Sequence, residues 1–380
     1  MTIADPRAIL LCFSHLRWGF VWQRPHHLLS RAARDYRVIV FEEAYYGSEI
    51  ETPYLYRAPA QDGVEVVVPH LPGSDDEVES AEDVTRLLNE YLRELGAAPS
   101  VLWYYTPAAI AFSKHLDAEL IVYDCMDQLA AFKDASPRMA QWENDLFQRA
   151  DLVTCGGRSL FEDKSRHHKN SHLFPSSIDA PHFRRARSLA AARGKNKRPV
   201  LGFFGVIDER LDIDLIGKIA RMRPEWTLEM IGPIIKIDPA SLPRLPNVVW
   251  SGHVDYKDLP QSLARWDIGL MPFAINEATR FISPTKTPEF LAAGLPVIST
   301  PVRDVVSPYG DAGLVEIATD ARGFVEAAER LLRTPRGEWL VTADEFLSTM
   351  SWDRTYAGIR KLMQPRAQQA EKRRGAMVRA

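Results

Sequence analysis

The sequence predicts an α/β fold built twice, with a parallel sheet in each half. Three observations carry that expectation. The chain has 380 residues, a length that suits two domains of ordinary size. Its strand-like segments are continuous apolar runs, as strands read when helices cover both faces of a parallel sheet. The strand–helix alternation breaks off before residue 199 and then restarts.

In the first half, AILLCF (8–13) is a short apolar run followed by a polar loop and a helical stretch through His26–Arg34. RVIVFEE, VEVVVP, SVLWYY and LIVYDC follow as strands, rich in Val, Ile and aromatics. A helix is expected around Asp83–Leu95, where Val84, Leu87, Leu88, Tyr91 and Leu92 recur every three or four residues as one buried stripe. The second half offers PVLGFFG (199–205), TLEMIG (227–232), NVVWSG (247–252), DIGLMP (267–272) and PVIST (296–300). Between the halves, Arg184–Arg198 is basic and alanine-rich, with Leu189 its one large apolar residue, and reads as a linker. The expected divisions are therefore a first domain over 1–185, a linker over 186–198 and a second domain over 199–350.

Composition narrows the function classes. With 46% hydrophobic and 26% charged residues, the chain has the profile of a soluble globular protein. A net charge of −3 gives no cationic field for nucleic acid, so an anionic ligand needs a local site. Cys12, Cys125 and Cys155 form no CxxC pair and fit buried thiols in a reducing cytoplasm. MTIADPRA is not signal-like, and no apolar run nears the roughly 20 residues that cross a bilayer. The tail over 365–380 carries Arg366, Lys372, Arg373, Arg374 and Arg379 against Glu371. It reads as a solvated end, or as a weak attraction to anionic lipid of about 1 kcal/mol per basic residue.

Residues 279–302, TRFISPTKTPEFLAAGLPVISTPV, are the most informative segment. A polar loop opens a short helix, Gly294 ends it, Pro296 prevents its continuation, and a buried strand follows. A helix N-terminus offers unpaired N–H groups and roughly half a positive charge, which suits a phosphate. Lys286 adds a full cation, and Glu289 can accept hydrogen bonds from a ribose diol. Ser283 or Thr287 can serve as the cap, the second placing Pro288 at the favoured first position. By spacing alone, Glu289 complementing the helix dipole beside a solvated Lys286 is an equal reading.

The run Ser283-Pro284-Thr285-Lys286-Thr287-Pro288-Glu289-Phe290-Leu291-Ala292-Ala293-Gly294 resembles the donor-binding motif of GT-B glycosyltransferases in the glycogen, sucrose and lipid-linked mannosyl group. It is most similar to the bacterial surface-polysaccharide branch, whose motif runs Asn-Pro-x-Lys-x-x-Glu-Tyr-Leu-Ala-Ala-Gly. The resemblance extends through LGFFGVIDERLD, WTLEMIGP, NVVWSGHVDYKDLPQSLARWDIGLMPF and SWDRTYAGIRKLM, most of residues 199–363, and more loosely through ILLCFSHLRWGFVWQRPHHLLSR and VYDCMDQLAAF. It implies two Rossmann-like domains facing each other across a cleft, with a helix over 351–364 crossing back to the first.

It also implies roles. Lys286 contacts the donor diphosphate and Glu289 the ribose. The loops at Gly205, Val206, Gly232, His253 and Val254, with Thr285 and Thr287, surround phosphate and base. No metal or cofactor is implied, the nucleotide-diphosphate sugar being a substrate. Two departures stand out. Phe281 lies eight residues before Glu289, where the wider family carries a second glutamate. Gly205-Val206 replaces the family's frequent Gly-Arg, which leaves Arg280 as the nearest candidate for a second phosphate cation.

Two further segments bear on the acceptor. SHLRWGFVWQRPHH (14–27) follows the first strand and concentrates His15, Arg17, Trp18, Trp22, Gln23 and Arg24. Aromatic faces stack on sugars and cations hold a phosphate or acidic sugar, although a tryptophan-anchored loop packed on its own sheet explains the same residues. Tyr105 ends the neighbouring strand and can complete an acceptor wall. VYDCMDQL (122–129) supplies carboxylates for a general base, Asp127 first and Asp124 second, each equally able to cap the next helix. Asp212 and Asp214 suit a helix start better than a metal. No Gx4GK[ST] or GxSxG occurs.

The expected function is sugar transfer from a nucleotide-diphosphate sugar to a saccharide or lipid-linked acceptor in bacterial surface-polysaccharide synthesis. It would occur in the cytoplasm or at the inner face of the cell membrane, with Asp127 and Lys286 as catalytic residues. The alternatives are a nucleotide-sugar epimerase with the same two lobes and a non-catalytic partner in a polysaccharide-assembly complex.

Overall fold

The computed structural model describes residues 7–59, 62–73, 77–194 and 196–377. The expected beginning of the first domain at residue 1 and the last basic residue of the tail, Arg379, lie outside them. Nine strands form the first sheet: β1 (Ile9–Ser14), β2 (Arg37–Glu42), β3 (Tyr45–Gly47), β4 (Tyr54–Pro59), β5 (Val64–Pro72), β6 (Val101–Tyr104), β7 (Leu120–Cys125), β8 (Leu152–Cys155) and β9 (Ser171–Leu173). Their order is β3-β5-β2-β1-β6-β7-β8-β9, with β4 alone added antiparallel, on β5. Leu10 sits opposite Val38 on one side and Val101 on the other.

The second sheet holds β10 (Val200–Phe204), β11 (Thr227–Ile231), β12 (Val248–Gly252), β13 (Ile268–Met271), β14 (Val297–Ser299) and β15 (Val315–Ile317). It is parallel throughout, in the order β12-β11-β10-β13-β14-β15. In both sheets the order reverses beside the first strand, between β1 and β6 and between β10 and β13. Ligands of doubly wound sheets sit outside the carboxyl ends of the strands at such a point.

All ten apolar runs read from the sequence are strands. The five strands absent from that reading are short or at an edge. β3, β9 and β15 have three residues each, β8 has four, and β4 exposes Tyr54 and Tyr56.

Helices bury both faces of each sheet. In the first lobe, Leu11, Phe13 and Ile39 face one core, while Leu10, Val38 and Val40 face another. Trp352, Tyr356, Ile359 and Met363, spaced by four, three and four residues, belong to that second core. The helix that carries them, Trp352–Met377, thus returns from the second lobe to cover the first, and it continues through most of the expected tail. No helix among the described residues is long and apolar enough to cross a membrane.

The linker expectation is corrected. Ala180–Arg193 is a helix, its N-terminus capped by Asp179, whose carboxylate accepts from the His182 N–H at 3.3 Å. A helix that buries only a narrow stripe, here Phe183 and Ala186, reads as polar and alanine-rich. It packs on the helices Leu259–Leu263 and Lys286–Ala293. The lobes also meet directly: Phe281 packs against the first lobe's core, and the Ser159 N–H donates to Asp304 at 3.1 Å.

Candidate active site

No side chain caps the N-terminus of the Lys286–Ala293 helix, where the Thr287 N–H turns back to the Pro284 carbonyl at 3.2 Å. Thr285 is the cap position but has helical angles (φ −58°, ψ −26°) and gives no side-chain hydrogen bond. Neither Ser283 nor Thr287 is the cap. Pro288 falls at the third helical position, where an N–H has no intrahelical partner to lose. The far end is firmly tied. Gly294 turns left-handed (φ 78°), and Arg187 donates to the carbonyls of Ala292 at 2.7 Å and Leu291 at 3.1 Å. A cation there complements the helix dipole.

Two glycines shape the floor in front of that N-terminus. Gly205 after β10 and Gly232 after β11 have φ of 125° and 147°. A Cβ at Gly205 would overlap the Lys286 side chain, and one at Gly232 would overlap the Gly205 carbonyl. Lys286 therefore lies directly across bare backbone. Its ammonium is 5.4 Å from the centre of the Phe203 ring.

The two lobes enclose a cavity of about 650 Å³ on this floor. Gly205, Val206, Gly232, His253, Val254, Thr285, Lys286 and Glu289 line it from the second lobe, and residues 18–23 from the first. A smaller chamber of about 90 Å³ shares Gln23, Arg210 and Lys286 with it and adds Asp127 and Asp208. Asp127, from the first lobe, is thus brought to the cations of the second.

Burial dominates the electrostatics. It holds the Lys286 ammonium below the usual lysine range, with the nearby Arg210 guanidinium adding to the effect and three carboxylates opposing it. It raises Glu289, only 6% exposed, above the usual carboxylate range against the pull of Lys286. Asp127 is pushed up to about 6 by burial, held back chiefly by Arg210. Such groups need a partner to carry charge stably, and a bound anion supplies one for the cations.

Several sequence-predicted residues lie elsewhere. Arg280 is 64% exposed, 3.6 Å from Glu277 and stacked over Phe281, and it does not line the cavity. Arg210 does line the cavity, donating to Asp208 through Nε at 3.0 Å and Nη2 at 2.5 Å. The signal for Arg210 was its position in the loop after Gly205; its direction depends on the isolated bridges that pair Ile207 with Ile234 and Leu211 with Phe273. Thr287 is fully buried with its hydroxyl on the Met271 sulfur at 3.5 Å, so it does not reach a ligand.

On the acceptor side, Trp18 and Gln23 line the cavity, but the charged residues are engaged in the wall. Arg24 is 1% exposed and bonds Asp124 through Nε at 3.0 Å and Nη2 at 2.8 Å, with Nη1 on the Phe174 carbonyl at 2.7 Å. Asp124 also accepts from Thr154 at 2.7 Å, which removes it as a base. Arg17 bonds Glu42 at 3.1 Å and the Ala44 carbonyl at 2.9 Å. Tyr105 is 1% exposed against Trp103, inside the sheet's core. His15 is partly buried behind the loop, its imidazole lowered to about 4 by burial, with Lys236 and Arg210 adding to the effect. Asp212 caps the helix Ile213–Met222 through the Leu215 N–H at 2.8 Å.

Two facing doubly wound lobes with ligand loops at the carboxyl ends define a GT-B fold, and solved glycosyltransferases share it. Sucrose-phosphate synthase from Thermosynechococcus elongatus superposes with a TM-score of 0.69 at 13% identity, over 94% of this chain and 99% of that one. Anabaena HepE in complex with UDP gives 0.66 at 15% identity, over 94% and 100%.

Residues 198–334 match the family model described as Glycosyl transferases group 1, so the second lobe carries a domain of that family. The chain is similar to the putative teichuronic acid biosynthesis glycosyltransferase TuaH of Bacillus subtilis (strain 168), with 31% identity over 218 residues. That match takes in 52% of this chain and spans about half the relative's length, 55%.

Proposed function

We propose that this protein transfers a sugar from a nucleotide-diphosphate sugar to a saccharide or lipid-linked acceptor in the synthesis of a bacterial surface polysaccharide. The observation that carries the reading is the convergence, on one interlobe cavity, of an uncapped helix N-terminus, Lys286, Glu289 and two glycine-floored loops. A diphosphate fits against bare backbone, with Lys286 and Arg210 as its cations and Glu289 one turn on for the ribose hydroxyls. The UDP bound to HepE and the teichuronic acid biosynthesis in the TuaH name support the same substrate classes.

The leaving diphosphate gains charge as the glycosidic bond to the donor breaks, and fixed cations in a dry cavity stabilise that charge without reorganisation. Lys286 and Arg210 do this here, with no cofactor and no metal. Asp127 accepts the proton of the acceptor hydroxyl, its raised pKa matching that task near neutrality. The protein works in the cytoplasm, at the inner face of the membrane where lipid-linked acceptors lie, and its basic tail adds a weak attraction to anionic lipid.

The experiment is a panel of nucleotide-diphosphate sugars tested by thermal shift and by sugar transfer. A donor at 100 times its dissociation constant stabilises by about 2.7 kcal/mol. Binding with sugar transferred to an acceptor, or hydrolysed from the donor, is the expected result. An isomerised donor sugar would establish the epimerase instead, and binding without turnover the non-catalytic partner. No stabilisation by any donor would overturn the reading.

A further inference from the structure

A row of aromatic rings on the outer face of the first sheet has no part in the cavity. In β4, strand alternation sends Leu55 toward the core and Arg57 over the Tyr91 ring at 4.6 Å, and turns Tyr54 and Tyr56 to the opposite face. Pairing sets Tyr45 of β3 and Tyr54 of β4 on either side of His70 in β5. Each of those tyrosine rings is centred 4.9 Å from the imidazole, and Tyr56 lies 5.8 Å from it. The Tyr54 hydroxyl is 3.1 Å from His70 Nδ1. Tyr45, Tyr54 and Tyr56 are 46%, 47% and 51% exposed. Of the ten large hydrophobic side chains exposed among the described residues, these three and Tyr46 fall between residues 45 and 56, a concentration that marks a contact surface.

We propose that this row is a platform for uncharged sugar units of the acceptor chain, outside the cavity where transfer occurs; this rests on the saccharide acceptor of the reading above. A sugar ring presents an apolar C–H face edged with hydroxyls, and tyrosine presents a ring face with a polar tip at its wet edge. Burial, with the Arg17 guanidinium adding to it, holds the His70 imidazole below the usual histidine range, so the middle of the row is an uncharged ring at neutral pH. Charge argues against other partners. The chain segments that carry the row, 38–56 and 64–73, hold Glu42, Glu43, Glu49, Glu51 and Glu65 and neither lysine nor arginine. Arg17 is tied to Glu42 and the Ala44 carbonyl. An anionic membrane or an acidic sugar chain finds no free cation in those segments. A second copy adding to the sheet would pair along the β4 backbone edge and leave these faces uncovered. The row also adjoins the cavity, which Pro59 at the end of β4 lines together with Trp18, the neighbour of Arg17. A chain whose end reacts in the cavity therefore has a stacking surface for its more distant units.

The test is calorimetric titration with maltohexaose, cellohexaose, mannohexaose and hexagalacturonate. It compares wild type with the double variants Tyr54→Ala/Tyr56→Ala and Tyr54→Phe/Tyr56→Phe. Wild type should bind at least one neutral hexasaccharide, and bind it more tightly than hexagalacturonate. Loss of two stacking faces should weaken that binding roughly 5- to 150-fold, and the phenylalanine pair should restore most of it. Neither variant should alter nucleoside diphosphate affinity, because the row lies outside the cavity. The platform is overturned if no neutral hexasaccharide binds wild type, if the alanine pair binds as well as wild type, or if hexagalacturonate binds at least as tightly. Cosedimentation with vesicles of phosphatidylcholine and phosphatidylglycerol that the alanine pair loses would make the row a membrane face instead. The titrations need no donor. Sugar transfer by a chain that binds no hexasaccharide removes the platform alone, whereas hexasaccharide binding by a chain that binds no nucleotide sugar keeps the platform and removes the transfer reading.

Discussion

Two loops meet at the cavity and use their charged residues in opposite ways. The loop before the Lys286 helix leads to Lys286 and Glu289 on the cavity, Lys286 within the field of Glu289, Asp208 and Asp127. The loop after β1 turns its cations into the wall, where Arg17 and Arg24 meet Glu42 and Asp124 at about 3 Å, and leaves aromatic faces on the cavity. A cation whose hydrogen bonds are all taken by buried carboxylate and carbonyl oxygens is architecture. One lying across bare glycine backbone is available to a ligand.

The comparison breaks most visibly at Arg24. Its Nε and Nη2, with the Thr154 hydroxyl, satisfy the Asp124 carboxylate, so Arg24→Ala strands a fully buried charge. The expected loss is about 3–5 kcal/mol of folding stability, measurable by urea unfolding. The double change Arg24→Met with Asp124→Leu should recover most of it, because the uncompensated charge is gone. An Arg24→Ala protein of undiminished stability with weakened acceptor binding would return Arg24 to the ligand.

Lys286→Ala probes the opposite side of the comparison. Transfer should fall about 10²- to 10³-fold, the loss on removing one preorganised group that stabilises transition-state charge. The urea midpoint should stay near wild type, since Lys286 lies against glycine and a ring face instead of filling a core. Comparable losses in stability and rate would make Lys286 structural.

The pH profile separates the two lobes' contributions. Asp127 must be ionised to accept a proton, so kcat/KM should fall about tenfold per pH unit below about 6. Lys286 must be protonated, and burial lowers it, so the alkaline limb should appear below the usual lysine range. Asp127→Asn should lower the rate and abolish the acid limb alone. An acid limb that persists in that variant assigns the base elsewhere.

What the sequence disclosed follows from how local each feature is. Continuous apolar runs and the glycine-ended loops are local, so ten strands and the floor of Gly205 and Gly232 were legible. Lys286 and Glu289 share a single helical turn, and their spacing alone placed them together. The wall residues depend on contacts across long sequence separations: Arg24 finds Asp124 a hundred residues on, and Arg187 finds the carbonyls of Leu291 and Ala292. Nothing in a run of fourteen residues distinguishes a cation that will find such a partner from one that will not. The helix Ala180–Arg193 was misread for a related reason, because its apolar stripe is only two fully buried residues wide.

The smallest expected effect contrasts two arginines. Arg280 stands six residues before Lys286 in sequence yet is mostly exposed, paired with Glu277 on its own turn. Such surface pairs contribute about 0–1 kcal/mol. Arg210 is farther in sequence but lines both chambers beside Lys286. Arg210→Lys keeps the charge near Asp208 while losing the planar fork, so nucleoside diphosphate affinity should drop roughly tenfold, within the range for one charge-assisted hydrogen bond. Arg280→Ala should change that affinity less than twofold. Titration of both variants with the tightest-binding nucleoside diphosphate decides between them. If Arg280→Ala shows the larger loss, closeness in sequence was the better guide to the phosphate site, and the fold of the loop after β10 was not.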